Sequence, residues 1–182
     1  TEQEIRFRIN NLTREPGVDL TKNVYLTAYG EWTKKSGFFL LKEGKAPKEL
    51  LFEDASFGRI NKAKEGETVL LTKQTFIDFP DYFTTTLKFK SLTKQTNANP
   101  QQSDYLWGER VLVDFENSHG DKLQGTLTLP GDYQKGKKYP MIVYFYEKMS
   151  QRHHSYSMPT YDDRPHMSAY ASNGYLVFMP DI

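Results

Sequence analysis

The apolar positions of this chain follow two different patterns. From residue 24 to about residue 96 they come in short alternating runs, broken by glycine and by charged residues: "NVYLTAYG", "SGFFLLKEGK" and "KELLFEDASF", then "ETVLLTKQTF", "DYFTTTLKFK" and "SLTKQT". Alternation of this kind, rich in Tyr, Phe, Thr and Val, predicts strands with one buried face. The two sets superpose at a nearly fixed offset. Val24 and Val69 lie 45 residues apart, as do Phe38 and Phe83, while Leu50 and Leu92 lie 42 apart. A period of about 40–50 residues, with several short strands in each unit, predicts propeller-like blades. One small twisted sheet cannot cover both of its own faces, so it stacks against a neighbour. Any meander of hairpins gives similar spacings, and that reading stands beside the repeat. Gly44 in "EGK" and Gly66 in "KEGE" are placed for hairpin turns that need positive φ.

After residue 97 the pattern changes. "TNANPQQSD", residues 96–104, is polar and strand-poor and reads as a linker. "ERVLVDFENSHGDKLQGTLTLP" then predicts a hairpin turning at "NSHGDK". Val111, Val113 and Phe115 share one face, opposite Leu123, Gly125, Leu127 and Leu129 on the return strand. "MIVYFY" is continuously apolar, as expected of a strand buried on both faces, and "YLVFMP" reads the same way. Between them lie a polar loop, from Glu147 to about Arg164, and "PHMSAYASNGY". The latter predicts a helix with Pro165 in its first turn, Met167, Tyr170 and Ala171 on one face, and Asn173-Gly174 as its C-terminal cap. Strand, helix, strand makes a βαβ unit, so the last two strands should be parallel.

Composition narrows the function. The 182 residues carry 24 Lys+Arg against 23 Asp+Glu, a formal charge of +1, which leaves no electrostatic footprint for nucleic acid. Cysteine is absent, so disulfides, zinc thiolates and a cysteine nucleophile are excluded. The longest apolar runs fall far short of the ~20 residues that span a bilayer, and "TEQEIRFRIN" has no apolar signal core. The compartment stays open between cytoplasm and periplasm.

"KLQGTLTLPGDYQKGKKYPMIVYFY", followed by "MSAYASNGYLVFMPDI", resembles the serine peptidases of the prolyl oligopeptidase family, which includes dipeptidyl and acylaminoacyl peptidases. The likeness runs from about Val69 to Ile182 and is strongest from Leu123 onward. It implies propeller-like antiparallel β blades over residues 1–100, a linker at 101–109, and the incomplete N-terminal part of an α/β-hydrolase sheet over 110–182. It also implies a role for Tyr146. Members of this family place a tyrosine at the end of this strand, and its hydroxyl donates to the oxyanion formed when the serine attacks the peptide carbonyl. The sequence departs from the family in two places. "EKMS" follows Tyr146 where glycines and a proline are usual, and no G-x-S-x-G elbow occurs anywhere. In the family the serine, aspartate and histidine all come later than "YLVFMP". The chain is therefore expected to be a fragment of a serine peptidase that cuts short peptides, with the triad beyond Ile182, and to be inactive alone. A peptide is the expected substrate of the complete protein, and the fragment is expected to self-associate. The alternative is a non-catalytic, β-rich binding module with a degenerate hydrolase segment.

Other polar residues carry weaker chemistry. His153-His154, Asp162, Asp163 and His166 are of metal-ligand type, but adjacent histidines in an extended chain point apart. No metal or cofactor is expected, and "YDDRPH" reads as a helix start capped by Asp162 or Asp163. His119 is expected to be solvated in a hairpin turn. Glu147-Lys148 are either a solvated strand end or the mouth of a site. Arg59 has only its position to recommend it, and Trp32 and Trp107 read as packing or junction aromatics.

Overall fold

The computed structural model describes residues 4–12, 17–158 and 166–182. The chain divides into two compact units, residues 1–75 with 80–98, and residues 76–79 with 99–182. No helix among the described residues is long and apolar enough to cross a membrane.

The first unit is built from antiparallel strands. β1 (Ile5–Asn10), β2 (Val24–Gly30), β3 (Ser36–Leu41) and β4 (Lys48–Glu53) form one sheet in that order. In the second sheet β5 (Ser56–Phe57) and β6 (Asn61–Lys62) both pair with β7 (Thr68–Gln74), which continues to β8 (Asp81–Thr86) and β9 (Thr93–Lys94). The 45-residue spacing matches β2 with β7 and β3 with β8. Val24 and Val69 are both buried, and Phe38 and Phe83 occupy the third strand of each set. Leu92, the partner of Leu50 in the repeat, falls just before β9, so the match weakens at the last strand. Gly44 (φ +66°) and Gly66 (φ +85°) adopt the left-handed conformation that their turns require.

Packing explains why neither sheet stands alone. Phe38 and Phe39 are consecutive on β3, and both are buried, in different clusters. Phe38, 1% exposed, joins Ile60, Val69, Leu71 and Phe89, and stacks on the Phe89 ring at 4.8 Å. Phe39 joins Val24, Leu26 and Ala28. The Glu53–Lys73 ion pair at 2.5 Å links β4 to β7, but both side chains are partly solvated. Such pairs contribute about 0–1 kcal/mol, far less than a buried phenylalanine. A buried polar staple holds the end of the unit. The Asp81 carboxylate pairs with Lys94 at 2.6 Å and accepts from Thr96 Oγ1 at 2.6 Å and from the Ala98 N–H at 2.9 Å. Burial pushes this carboxyl up, but the bonds from Lys94, Thr96 and Ala98 outweigh it and hold it below the usual range.

The second unit opens with a 3₁₀ turn, Pro100–Asp104, inside the segment that reads as a linker. Then come β10 (Arg110–Glu116), β11 (Lys122–Thr128), β12 (Met141–Val143), α1 (Met167–Ser172) and β13 (Leu176–Pro180). The sheet order is β10-β11-β13-β12, and β12 runs parallel to β13 as the strand–helix–strand reading requires. The hairpin register pairs Val111 with Leu127, Val113 with Gly125 and Phe115 with Leu123, the faces read from the sequence. Gly125 is required there, because a Cβ would lie 2.6 Å from the Phe178 ring. Gly174 (φ +81°) ends α1.

Three expectations need correction. "MIVYFY" is not buried on both faces among the described residues: only three of its residues form β12, which stands at the edge of the described sheet, and Met141 and Val143 are 52% and 50% exposed. In "YLVFMP" burial alternates, with Val177 and Met179 inside and Leu176, Phe178 and Pro180 half-buried. The cause is that one face of the sheet is covered, by Met149 and Met167, whereas the face bearing Val111, Val113 and Phe178 is only partly covered among the described residues. On α1, Met167 and Ala171 are buried but Tyr170 is exposed. Pro165, Asp162 and Asp163 lie outside the described residues.

Two measurements test this account. Phe38→Ala is expected to cost about 3–5 kcal/mol, read from urea midpoints, because the flanking rings cannot close the cavity. Asp81→Asn should destabilise only above about pH 4, the unfolded carboxyl value. As pH falls through the depressed folded value, wild type should lose its advantage, so thermal melts of the two should converge in acid.

Candidate functional site

β12 is short, but its ladder continues one residue further, where the Tyr144 N–H donates to the Phe178 carbonyl at 3.0 Å. Tyr144 packs against the buried methionines. Beyond it the chain leaves the sheet. Phe145 is exposed, and Tyr146 is 67% exposed, with its hydroxyl bonded to no described residue. Tyr146 thus lies two residues past the last ladder bond, exposed among the described residues. The next residue, Glu147, adopts φ +48°. This left-handed conformation is one that glycine enters freely and other residues enter at a cost of roughly 1–2 kcal/mol. The chain therefore makes at Glu147, without a glycine, a turn that a glycine would ease.

The loop behind Tyr146 is fixed at three further points. Met149 and Ser150 are buried, and a 3₁₀ turn spans Ser150–Arg152. Asp181, just after β13, accepts from the Ser150 N–H at 2.7 Å and from its hydroxyl at 2.6 Å. Arg110, at the start of β10, donates from Nη1 to the Arg152 carbonyl at 2.8 Å and to the Ser155 carbonyl at 3.1 Å. Its Nε donates to Thr128 Oγ1 at 3.1 Å, and its guanidinium lies 4.1 Å from the centre of the Phe76 ring. Burial, and then the Arg152 charge, push the guanidinium pKa down to about 10, so Arg110 remains charged at neutral pH.

A separate cavity of about 970 Å³ lies beside α1, lined by Asn99, Tyr105, Leu106, Trp107, Tyr156 and Ser168 among others. Trp107 stacks on Tyr156 with centroids 5.3 Å apart, and donates from Nε1 to the Phe76 carbonyl at 3.1 Å. Tyr156 donates to Gln102 Oε1 at 3.0 Å and accepts from Asn99 Nδ2 at 3.1 Å. Burial raises the pKa of this phenol, against the opposing bond from Asn99. Tyr146 does not line this cavity.

The remaining sequence candidates are dispersed. His119 is exposed in its turn, with its N–H donating to Asn117 Oδ1 at 2.9 Å. Arg59, Glu147 and Lys148 are exposed, as is Trp32. His153 and His154 do not point apart. His153 has α-region dihedrals at the end of the 3₁₀ turn, not extended ones, and the two rings meet at 4.5 Å. Among the described residues, no three His, Cys, Asp or Glu side chains gather as metal ligands. Sequence reasoning missed Arg110, Ser150 and Asp181. Their partners lie 31 to 45 residues away in sequence, and no local spacing marks them.

No family model matches the sequence, and no curated protein matches it. Solved structures do match in fold. Dipeptidyl peptidase 4 of Porphyromonas gingivalis aligns with a TM-score of 0.70 at 14% identity, over 96% of this chain and 24% of that one. A putative dipeptidyl aminopeptidase IV of Bacteroides ovatus aligns at 0.63 and 17%, over 96% and 25%. The acylaminoacyl peptidase of Pyrococcus horikoshii aligns at 0.61 and 18%, over 87% and 23%. The chain thus spans about a quarter of the length of these structures. It shares the fold of that part of them, an assembly of mostly antiparallel sheets with little helix.

The turn at Glu147 generates a prediction. Glu147→Gly should raise stability by up to about 1 kcal/mol, and Glu147→Val should lower it by a similar amount, because a β-branched residue is least tolerant of positive φ. Denaturant midpoints of the three proteins should rank in that order.

Proposed function

We propose that this chain is a segment of a serine peptidase acting on short peptides. Residues 1–100 are the closing blades of a propeller, 101–109 the linker, and 110–182 the first strands of an α/β-hydrolase domain. The fold likeness to dipeptidyl and acylaminoacyl peptidases supports this, as do the two strand sets at a 45-residue spacing and the parallel β12–β13 pair. The observation that carries the reading is Tyr146, exposed three residues past the end of β12, with its hydroxyl bonded to no described residue and a left-handed residue directly after it.

In this reading the nucleophilic serine and its base come from residues outside the 182. Tyr146 supplies one hydrogen bond. As the serine attacks the scissile carbonyl, the oxygen gains negative charge, and the phenol O–H donates to it more strongly than to the neutral carbonyl. Only this difference accelerates the reaction. The open edge of β12 and the partly covered face beside it support self-association of residues 1–182 when they are separated from the rest.

The test is hydrolysis of dipeptidyl and acylaminoacyl p-nitroanilides by the whole native gene product. Tyr146→Phe should lower kcat by about 10²–10³, with KM little changed, as for loss of one oxyanion donor. A native protein that hydrolyses none of these substrates, or a Tyr146→Phe variant with unchanged kcat, would overturn the proposal and leave the binding-module reading.

A further inference from the structure

We infer that Asp181 and Arg110 are positioning residues, which clamp the loop behind Tyr146 from two different strands and thereby aim its hydroxyl. The inference rests on the peptidase reading above for its catalytic half, and on geometry alone for its mechanical half.

Of residues 147–155 only Met149 contributes a buried apolar side chain. Tyr146 itself is mostly exposed. Two polar anchors hold the loop, and both are buried. Asp181 is 8% exposed and receives two hydrogen bonds from one residue, Ser150, itself 1% exposed. Arg110 is 9% exposed and grips the carbonyls of Arg152 and Ser155 with one nitrogen. Among the described residues neither group makes an ion pair, so the charge of each is met by directional bonds to this loop and its supporting strand. Removing a buried acceptor strands its donors, which costs about 1–3 kcal/mol, more when a charge is involved. A strained Glu147 needs such over-determination to persist. Ile182 adds a backbone bond to the Glu147 carbonyl at 3.3 Å, so the segment after β13 holds the loop at two places.

The strands also have a fixed spacing. Asp181 is set by its own N–H, which donates to the Gln124 carbonyl at 2.8 Å, and Arg110 by its bond to Thr128. Both anchors thus refer back to β11. A shift in either would displace the loop relative to β12, and a misplacement of about 1 Å in a reacting group can cost about 10²-fold in rate.

The experiment uses the whole native gene product, with Asp181→Ala, Asp181→Asn, Ser150→Ala and Tyr146→Phe. Two readouts are taken: hydrogen exchange of the amides in residues 147–155, and kcat with KM on a p-nitroanilide substrate. Asp181→Ala should speed exchange across the loop and lower kcat by about 10- to 100-fold, with KM within about threefold. Asp181→Asn should recover most of both, since its amide can accept from the Ser150 N–H while donating to the hydroxyl oxygen. In a Tyr146→Phe background, Asp181→Ala should cost little more, because both changes remove the same interaction. If Asp181→Ala does not fold, Ser150→Ala takes its place with smaller shifts in the same directions. Exchange or kcat unchanged in the clamp variants, or full additivity with Tyr146→Phe, overturns the inference while the peptidase reading stands. A native protein without hydrolysis removes the peptidase reading and the aiming role with it, and faster exchange in the variants would then support only the mechanical clamp.

Discussion

A β-sheet has two faces, and each apolar one must be covered by something. That constraint governs both units of this chain. In the first unit it is met internally: consecutive residues of β3, Phe38 and Phe39, point in opposite directions and each finds its own apolar cluster. Because side chains alternate along a strand, no single layer could have buried both. The short strands, glycine turns and aromatic content follow from the need to fold a compact sheet on either side of that seam.

The second unit meets the same constraint differently. Its covered face is mixed: Val177 and Met179 pack against Met149 and Met167, beside the buried side chains of Arg110, Gln124, Thr126 and Thr128, while the face with Val111, Val113, Leu127 and Phe178 is the half-covered one. The polar part is specific: Arg110, bonded to Thr128, meets the Arg152 and Ser155 carbonyls at set distances, and so fixes where the loop after β12 lies in a way that an apolar contact would not. This is why a loop with one buried apolar side chain has a defined course. It is also why the strained conformation at Glu147 is tolerated without a glycine.

Periodicity made much of this legible. The strand positions of the first unit, the register of the β10–β11 hairpin and the parallel pairing of β12 with β13 all follow from alternation, turn residues and the strand–helix–strand order, which are local or nearly local features. What alternation could not supply was cover. "MIVYFY" reads as doubly buried because its composition is apolar, but burial depends on which elements lie above and below, and β12 is an edge. The role proposed for Tyr146 comes from resemblance, and no local pattern marks it. The clamp was not legible at all, since Arg110 and Asp181 look like ordinary charged residues flanking strands and meet the loop only through long-range contacts. The histidine pair failed for a local reason, because a 3₁₀ turn brought together rings that an extended chain would have separated.

The short stretch Phe76–Phe79 leaves the first unit, belongs to the second, and is followed by residues 80–98 of the first. Its Phe76 supplies the ring beneath Arg110 and the carbonyl that receives the Trp107 indole. The polypeptide therefore passes between the units three times, not once. The consequence is one of modularity. A recombination point at residue 98 would not exchange one unit for another cleanly, because it would leave a tetrapeptide of the old partner under the guanidinium of the new one. A second unit moved as a cassette would therefore have to carry that tetrapeptide, or a substitute for it, along with residues 99–182.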